Sequence, residues 1–301
     1  MNFEQNTQPK PSRTPRSIVR VASVIMCVAA AVVAVGTVSA SGMHKPKAPL
    51  LSPVDQQLRA PMGPDAEVMA ALKSAEFSTR IYGGQEAQST HNPFHVGILI
   101  KSVTNNFAAY HCGGTLYKAN IVITAAHCVG QSASTYQVLT GARKLDGTGT
   151  RRNVQSIVRH SLYGTGPVYD IAVLRLTTSA TGHPTAQLPS SATDAPVGTN
   201  MRITGWGRLC DTAGCLRPTP LYSAIVPTVS RTVCGGGSPS TICASGRGLP
   251  DACGGDSGGP MASGNILYGV ISGGDPCGTG YGVYARVSEK SIRDFIINNS
   301  K

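Results

Sequence analysis

The chain has 301 residues, 14% of them charged and 5% aromatic, with 35 glycines and 20 prolines. Such a composition argues against disorder beyond the first part of the chain, and suits a strand-rich, turn-rich protein of one large or two smaller domains. The net charge is +11, and from residue 81 onward 17 Lys and Arg stand against 10 Asp and Glu. These cations are scattered apart from Arg143-Lys144 and Arg151-Arg152, so they read as solvated loop charges and no nucleic-acid partner is expected.

Taken in chain order, residues 1–20 carry Lys10, Arg13, Arg16 and Arg20, and an uncharged stretch over residues 21–38 leads to Val38-Ser39-Ala40. A basic segment, an apolar run and a small-residue site predict a secretory signal over residues 1–40. The run just reaches the roughly 18 residues at which spanning a bilayer becomes possible, so a retained membrane anchor is the rival reading. Both readings predict export, and the first predicts a secreted protein. Residues 41–80 hold Pro46, Pro49, Pro53, Pro61 and Pro64, then a segment at 66–77 suited to a short helix, and read as a propeptide. Short, often β-branched runs bounded by turn residues predict strands at 95–101, 121–124, 136–139, 171–176, 201–204 and 266–271. Near the end, Ile292, Phe295, Ile296 and Asn299 fall at helical spacing, predicting a helix over 288–299 that docks one face.

Three segments carry chemistry. Ser257 stands in Asp251-Ala252-Cys253-Gly254-Gly255-Asp256-Ser257-Gly258-Gly259-Pro260, where glycines leave backbone N–H groups free to hold an oxyanion. A serine hydroxyl is a poor nucleophile at neutral pH and needs a base that titrates near neutrality. Thr124-Ala125-Ala126-His127-Cys128 offers that base, and Tyr169-Asp170-Ile171-Ala172-Val173-Leu174 offers an acid entering an apolar run. Alone, each segment reads as readily as a buried histidine beside a disulfide, a strand start or a turn. The order His127, Asp170, Ser257, with Gly205-Trp206-Gly207 and the boundary Thr79-Arg80-Ile81-Tyr82-Gly83-Gly84, resembles the chymotrypsin/trypsin family of serine endopeptidases.

That resemblance implies an all-β fold of two antiparallel six-stranded barrels, the first at about 81–190 and the second at about 191–301, with a C-terminal α-helix and the active site in the cleft between barrels. It implies a triad in which His127 takes the Ser257 proton and Asp170 holds the imidazole, with the N–H groups of Gly255 and Ser257 as oxyanion hole. Ser272 matches the serine beside the triad acid, at the start of the wall where substrate pairs. Asp251 matches the base of the primary pocket and Gly274 and Gly282 its small walls, which implies cleavage after Arg or Lys. Ala252 stands where many relatives have serine, which favours Arg, whose fork reaches the carboxylate directly. Cleavage after Arg80 exposes the Ile81 amine as partner for Asp256, an activation switch.

Cys27 leaves with the signal, and spacing alone leaves every pairing of the remaining eight cysteines open. The resemblance implies Cys112 with Cys128, Cys253 with Cys277 and Cys234 with Cys243, leaving Cys210 and Cys215 to pair locally. CxxC and HxxxH spacings are lacking, so no metal and no other cofactor is expected. The partners implied are protein or peptide substrates bearing Arg or Lys, an activating protease and protein inhibitors, acting on a monomer. Gly273 stands where many relatives carry tryptophan, so preferences beyond the primary pocket do not carry over. The other readings are a membrane-tethered protease and a non-catalytic binding protein on the same scaffold.

Overall fold

A computed structural model describes residues 81–164, 169–190, 194–212, 214–234 and 237–301. The predicted signal, the propeptide and Arg80 lie outside the described residues. Thirteen strands are found among the described residues. The short strand β1 (Gln85–Glu86) comes first, followed by β2 (His95–Ile100), β3 (Tyr110–Lys118), β4 (Ile121–Thr124), β5 (Tyr136–Thr140), β6 (Thr150–Arg159) and β7 (Ala172–Leu176). Strands β2 to β7 close into an antiparallel barrel in the order β2-β3-β4-β7-β6-β5.

The second barrel uses β8 (Asn200–Gly205), β9 (Tyr222–Val229), β10 (Thr241–Ala244), β11 (Pro260–Ser263), β12 (Ile266–Gly274) and β13 (Gly282–Arg286). Its order is β9-β10-β13-β12-β11-β8, closed by pairing of β8 with β9, and β1 adds to the outer edge of β9. The fold is therefore the expected pair of six-stranded barrels. Closure leaves few strand edges unpaired, which suits a chain with so little helix.

Strand β4 is buried at every position, as its unbroken Ile-Val-Ile-Thr run dictates. Strand β6 is different: of its ten residues only Val154 is buried, while Arg151 and Arg152 are half-buried and Arg159 is exposed. It has no apolar run and escaped the sequence reading for that reason. Strand β3 escaped through Gly113 and Gly114, and β9 through Pro227. The glycines of β3 serve close approach. A Cβ on Gly113 would lie 2.9 Å from the Gly259 backbone, and the Gly113 N–H donates to Ser257 O at 2.8 Å. The two barrels thus touch backbone to backbone beside the serine.

Helix α1 (Asn106–Ala109) is a single turn capped by the Asn105 side chain. Helix α2 (Lys290–Asn298) starts two residues later than spacing predicted and is capped by Glu289, whose carboxylate accepts the Ile292 N–H at 2.8 Å. Ile292 and Ile296 are fully buried in the cluster that also holds the first-barrel core residues Ile121, Val122 and Leu174. Lys118 of β3 donates to Ser300 O at 2.8 Å, and Arg293 reaches Pro189 O at 3.0 Å. Helix α2, which follows the second barrel in sequence, is therefore tied to the first. Four disulfides join Cys112–Cys128, Cys210–Cys215, Cys234–Cys243 and Cys253–Cys277. No described helix is long and apolar enough to cross a membrane.

Candidate active site

His127 sits on one turn of 3-10 helix, Ala126–Val129, stapled to β3 by the Cys112–Cys128 bridge. Its Nδ1 lies 2.6 Å from Asp170 Oδ2, and its backbone N–H donates to Asp170 Oδ1 at 2.9 Å. Asp170 enters β7 from a tight turn in which Ile171 N–H donates to Tyr169 O, with Tyr169 at a φ of 54°. Ser272 donates to the same carboxylate at 2.6 Å. The register of β12 against β13 explains how: Ile271 opposes Tyr284 and Gly273 opposes Val283, so Ser272 is the extra residue of a bulge. Bulges re-aim side chains in this way. Burial raises the Asp170 pKa, but the hydrogen bond and charge of His127 and the hydroxyl of Ser272 outweigh it and hold the group below its ordinary value.

Ser257 follows β10 on the second barrel and lines the cleft. Its hydroxyl makes no hydrogen bond among the described residues, His127 included. Such contacts are often loose before substrate arrives. The N–H groups of Gly255 and Ser257 likewise donate to nothing among the described residues, while their neighbours are engaged: Asp256 N–H donates to Cys253 O and Gly258 N–H to Ile271 O. Gly255 has a φ of 102°, and a Cβ there would press within 3.1 Å of Gly207 Cα. Two free donors beside a free hydroxyl are what a tetrahedral oxyanion requires.

A cavity of about 370 Å³ opens beside Ser257, lined among others by Asp251, Ala252, Gly274 and Cys277. Asp251 is 1% exposed. Its carboxylate accepts from Ala252 N–H at 2.8 Å and more distantly from Gly278 N–H at 3.4 Å. Burial pushes its pKa up to about 6, the two N–H groups pull against that, and the Asp275 charge adds to it. Gly282 is required here, since a Cβ would come within 2.9 Å of both Asp251 Oδ1 and the Tyr284 hydroxyl. A second cavity of about 470 Å³ lies on the His127 side, lined by Tyr163, Asp170, Ser272, Gly273 and Gly274. Gly273 has open space where a side chain would stand.

Asp256 points away from the triad. Fully buried, it accepts from Gly207 N–H at 2.7 Å and Cys253 N–H at 2.8 Å. Burial pushes it to about 7 against those two hydrogen bonds, with the Asp251 charge also raising it. Ile81 is fully buried among Met201, Ile203, Ile242 and Tyr284 in the second barrel, and the next residue, Tyr82, accepts the Asp251 N–H at 3.0 Å. The start of the described chain is thus wired into the pocket wall.

Sequence reasoning missed Tyr110, whose hydroxyl reaches Gly255 O, and Asp211, which lines the pocket mouth beside the Cys253–Cys277 bridge. Neither stands in a segment whose local pattern signals a site. Two gatherings of His, Cys and Asp occur among the described residues: Cys112, His127 and Cys128, and Asp211, Cys253 and Cys277. Their sulfurs are spent in disulfides, leaving a single ordinary ligand in each.

Two barrels meeting at a histidine–aspartate pair, with a serine beside free backbone donors, define a serine hydrolase scaffold. Residues 81–296 match the family model described as Trypsin. Trypsin alpha of Drosophila melanogaster is 35% identical over 234 residues, covering 73% of this chain and 88% of that protein. Chymotrypsin-like elastase family member 1 of Bos taurus is 39% identical over 203 residues, covering 62% of this chain and 74% of that protein. Among solved structures, neuropsin, a serine protease expressed in the limbic system of mouse brain, superposes with a TM-score of 0.62 at 28% identity, covering 72% of this chain and 99% of that one. The chain belongs to the trypsin family of serine endopeptidases.

Proposed function

We propose that this endopeptidase is exported as a proenzyme, is cut after Arg80, and hydrolyses peptide bonds after Arg or Lys with Arg favoured. The observation that carries the specificity is Asp251: a carboxylate buried at the pocket base, held by backbone N–H groups and facing no described cation. Similarity does not choose between pockets, since a trypsin and an elastase are both among the relatives. A guanidinium entering the pocket satisfies Asp251 by charge-assisted hydrogen bonds. Ala252 offers no hydroxyl to help a shorter ammonium, which is why Arg gains.

In the reaction the Ser257 hydroxyl swings to His127 Nε2, gives up its proton and attacks the carbonyl carbon. The Gly255 and Ser257 N–H groups take the oxyanion. Asp170 stays ionised, fixes the tautomer through Nδ1 and stabilises the imidazolium, which then protonates the leaving amine. Water, activated by the same histidine, releases the acyl group from Ser257.

Activation follows from Asp256 and Ile81. A new ammonium at Ile81 is the charge partner that buried Asp256 needs, and the adjoining Tyr82 contact carries the change to Asp251. Export is supported by the signal-like residues 1–40 and by four disulfides, which persist in oxidising compartments. Protein substrates, an activating protease and protein inhibitors are the partners this reading needs. The test uses protein cut after Arg80 on matched peptides with Arg, Lys, Phe or Ala before the scissile bond. Cleavage after Arg and Lys that vanishes in Ser257→Ala and moves away from them in Asp251→Ser supports the reading. Preference for Ala or Phe by the unaltered pocket would refute it.

A further inference from the structure

Five successive carbonyls run through the loop from Cys253 to Ser257, and each is held. Four accept from backbone: Cys253 O from Asp256 N–H, Gly254 O from Arg208 N–H, Asp256 O from Gly259 N–H and Ser257 O from Gly113 N–H, at 2.8 to 3.0 Å. The fifth is different. Gly255 O accepts from a side chain, the Tyr110 hydroxyl of β3, at 2.9 Å.

Tyr110 is itself clamped. It is 4% exposed, and the edge of Trp206 meets its ring at 5.5 Å between centroids. The Arg217 guanidinium lies 5.2 Å from the Tyr110 ring centre and 4.7 Å from that of Phe107. Arg217 also donates to the carbonyls of both residues. Burial, then the Asp256 charge, push the Tyr110 phenol far above its ordinary range, so the hydroxyl keeps its proton for donation.

A peptide N–H lies in the plane of the preceding carbonyl, and that plane turns relative to the next about the dihedrals of the residue between them. Gly255, at φ 102°, lies where glycine moves with little intrinsic restraint. The plane before it, which carries the Gly255 N–H, is pinned by Arg208, and the plane after it is held by the Asp256 N–H on Cys253 O and by the Tyr110 hydroxyl on Gly255 O. We infer that Tyr110, braced by Arg217, is a positioning residue that anchors the Gly255–Asp256 peptide to the first barrel and thereby limits the rotation at Gly255 that would turn its N–H away from the oxyanion. This rests on the reading of Gly255 and Ser257 as the oxyanion donors. Tyr110 touches neither substrate nor reacting atoms. It couples the first barrel, and through Arg217 the segment just beyond the Cys210–Cys215 bridge, to the chemistry of the second.

Removing an oxyanion donor costs about 100- to 1,000-fold in kcat, so loosening one by Tyr110→Phe is expected to cost about tenfold, with KM held within about twofold. The variant is compared with wild type, both cut after Arg80, using two inhibitors. A peptidyl-arginine boronate, tetrahedral when bound, is expected to lose affinity by the same factor as kcat. Benzamidine, which fills only the Asp251 pocket, keeps its affinity. Arg217→Met, which leaves the hydroxyl in place, is expected to show the same split at smaller size. Unchanged kcat and boronate affinity in Tyr110→Phe overturn the inference, as does equal weakening of both inhibitors, which marks general damage to the site. Wild type that binds benzamidine yet shows no preference for the boronate overturns the oxyanion reading itself, and the inference with it.

Discussion

The proposed specificity rests on one side chain, Asp251. With a pKa pushed to about 6, it loses its charge as pH falls through that value, and with it the attraction for a guanidinium. Benzamidine affinity is therefore expected to be flat above about pH 7 and to weaken about tenfold for each unit below 6. Asp251→Asn should bind weakly at every pH. Calorimetric titration from pH 4.5 to 8 checks both, and an unaltered benzamidine profile in the Asn variant would remove Asp251 from the pocket. The residues of the candidate site, His127, Asp170, Ser257, Asp251 and the paired glycines, stood out in the sequence because each lies in a dense local pattern. Tyr110 did not. Its hydroxyl acts on a residue 145 positions away, and nothing in Ala109-Tyr110-His111 marks that reach.

At the scale of elements, short paired strands do the positioning and glycines permit it. The bulge at Ser272 turns one hydroxyl onto Asp170, and the approach of Gly113 to the Gly258–Gly259 turn brings the two halves of the site together. Gly258 has a φ of 80°, and a Cβ there would sit 2.4 Å from Gly113 O and 2.2 Å from Thr124 Oγ1. Gly258→Ala is expected to cost about 2–4 kcal/mol, because backbone must move as well as adopt a conformation that alanine resists. Urea denaturation in a Ser257→Ala background, which prevents self-digestion, measures it. A loss below about 0.5 kcal/mol would mean the contact yields freely. Six strands were readable from apolar runs. Strands β3, β9 and β6 were hidden by the glycines, the proline and the arginines that interrupt their apolar runs.

At the scale of the whole molecule, the uncut chain carries a carboxylate that prefers its proton. Asp256, at about 7 when folded, binds a proton more tightly than in the unfolded chain, where a carboxylate titrates near 3.9. Its contribution to stability is then fully present below about pH 4 and is lost as pH rises towards 7. On the proposed activation, a cut that supplies the Ile81 ammonium reverses this by favouring the ionised form. The gain in Tm on cutting after Arg80 is accordingly expected to be larger at pH 8 than at pH 5, by scanning calorimetry of Ser257→Ala protein treated with an added protease. An equal gain at both values would argue against pairing of Asp256 with Ile81. The two-barrel architecture was implied by the family resemblance, but the docking of α2 on the first barrel was not. That docking has a consequence in time. A ribosome makes the first barrel early, yet Ile292 and Ile296, which complete its packing cluster, emerge only after every strand of the second has been made. Until those late residues arrive, His127 and Ser257 belong to halves without their common strap, so the two sides of the site are fully joined only when the last turn of chain is in place.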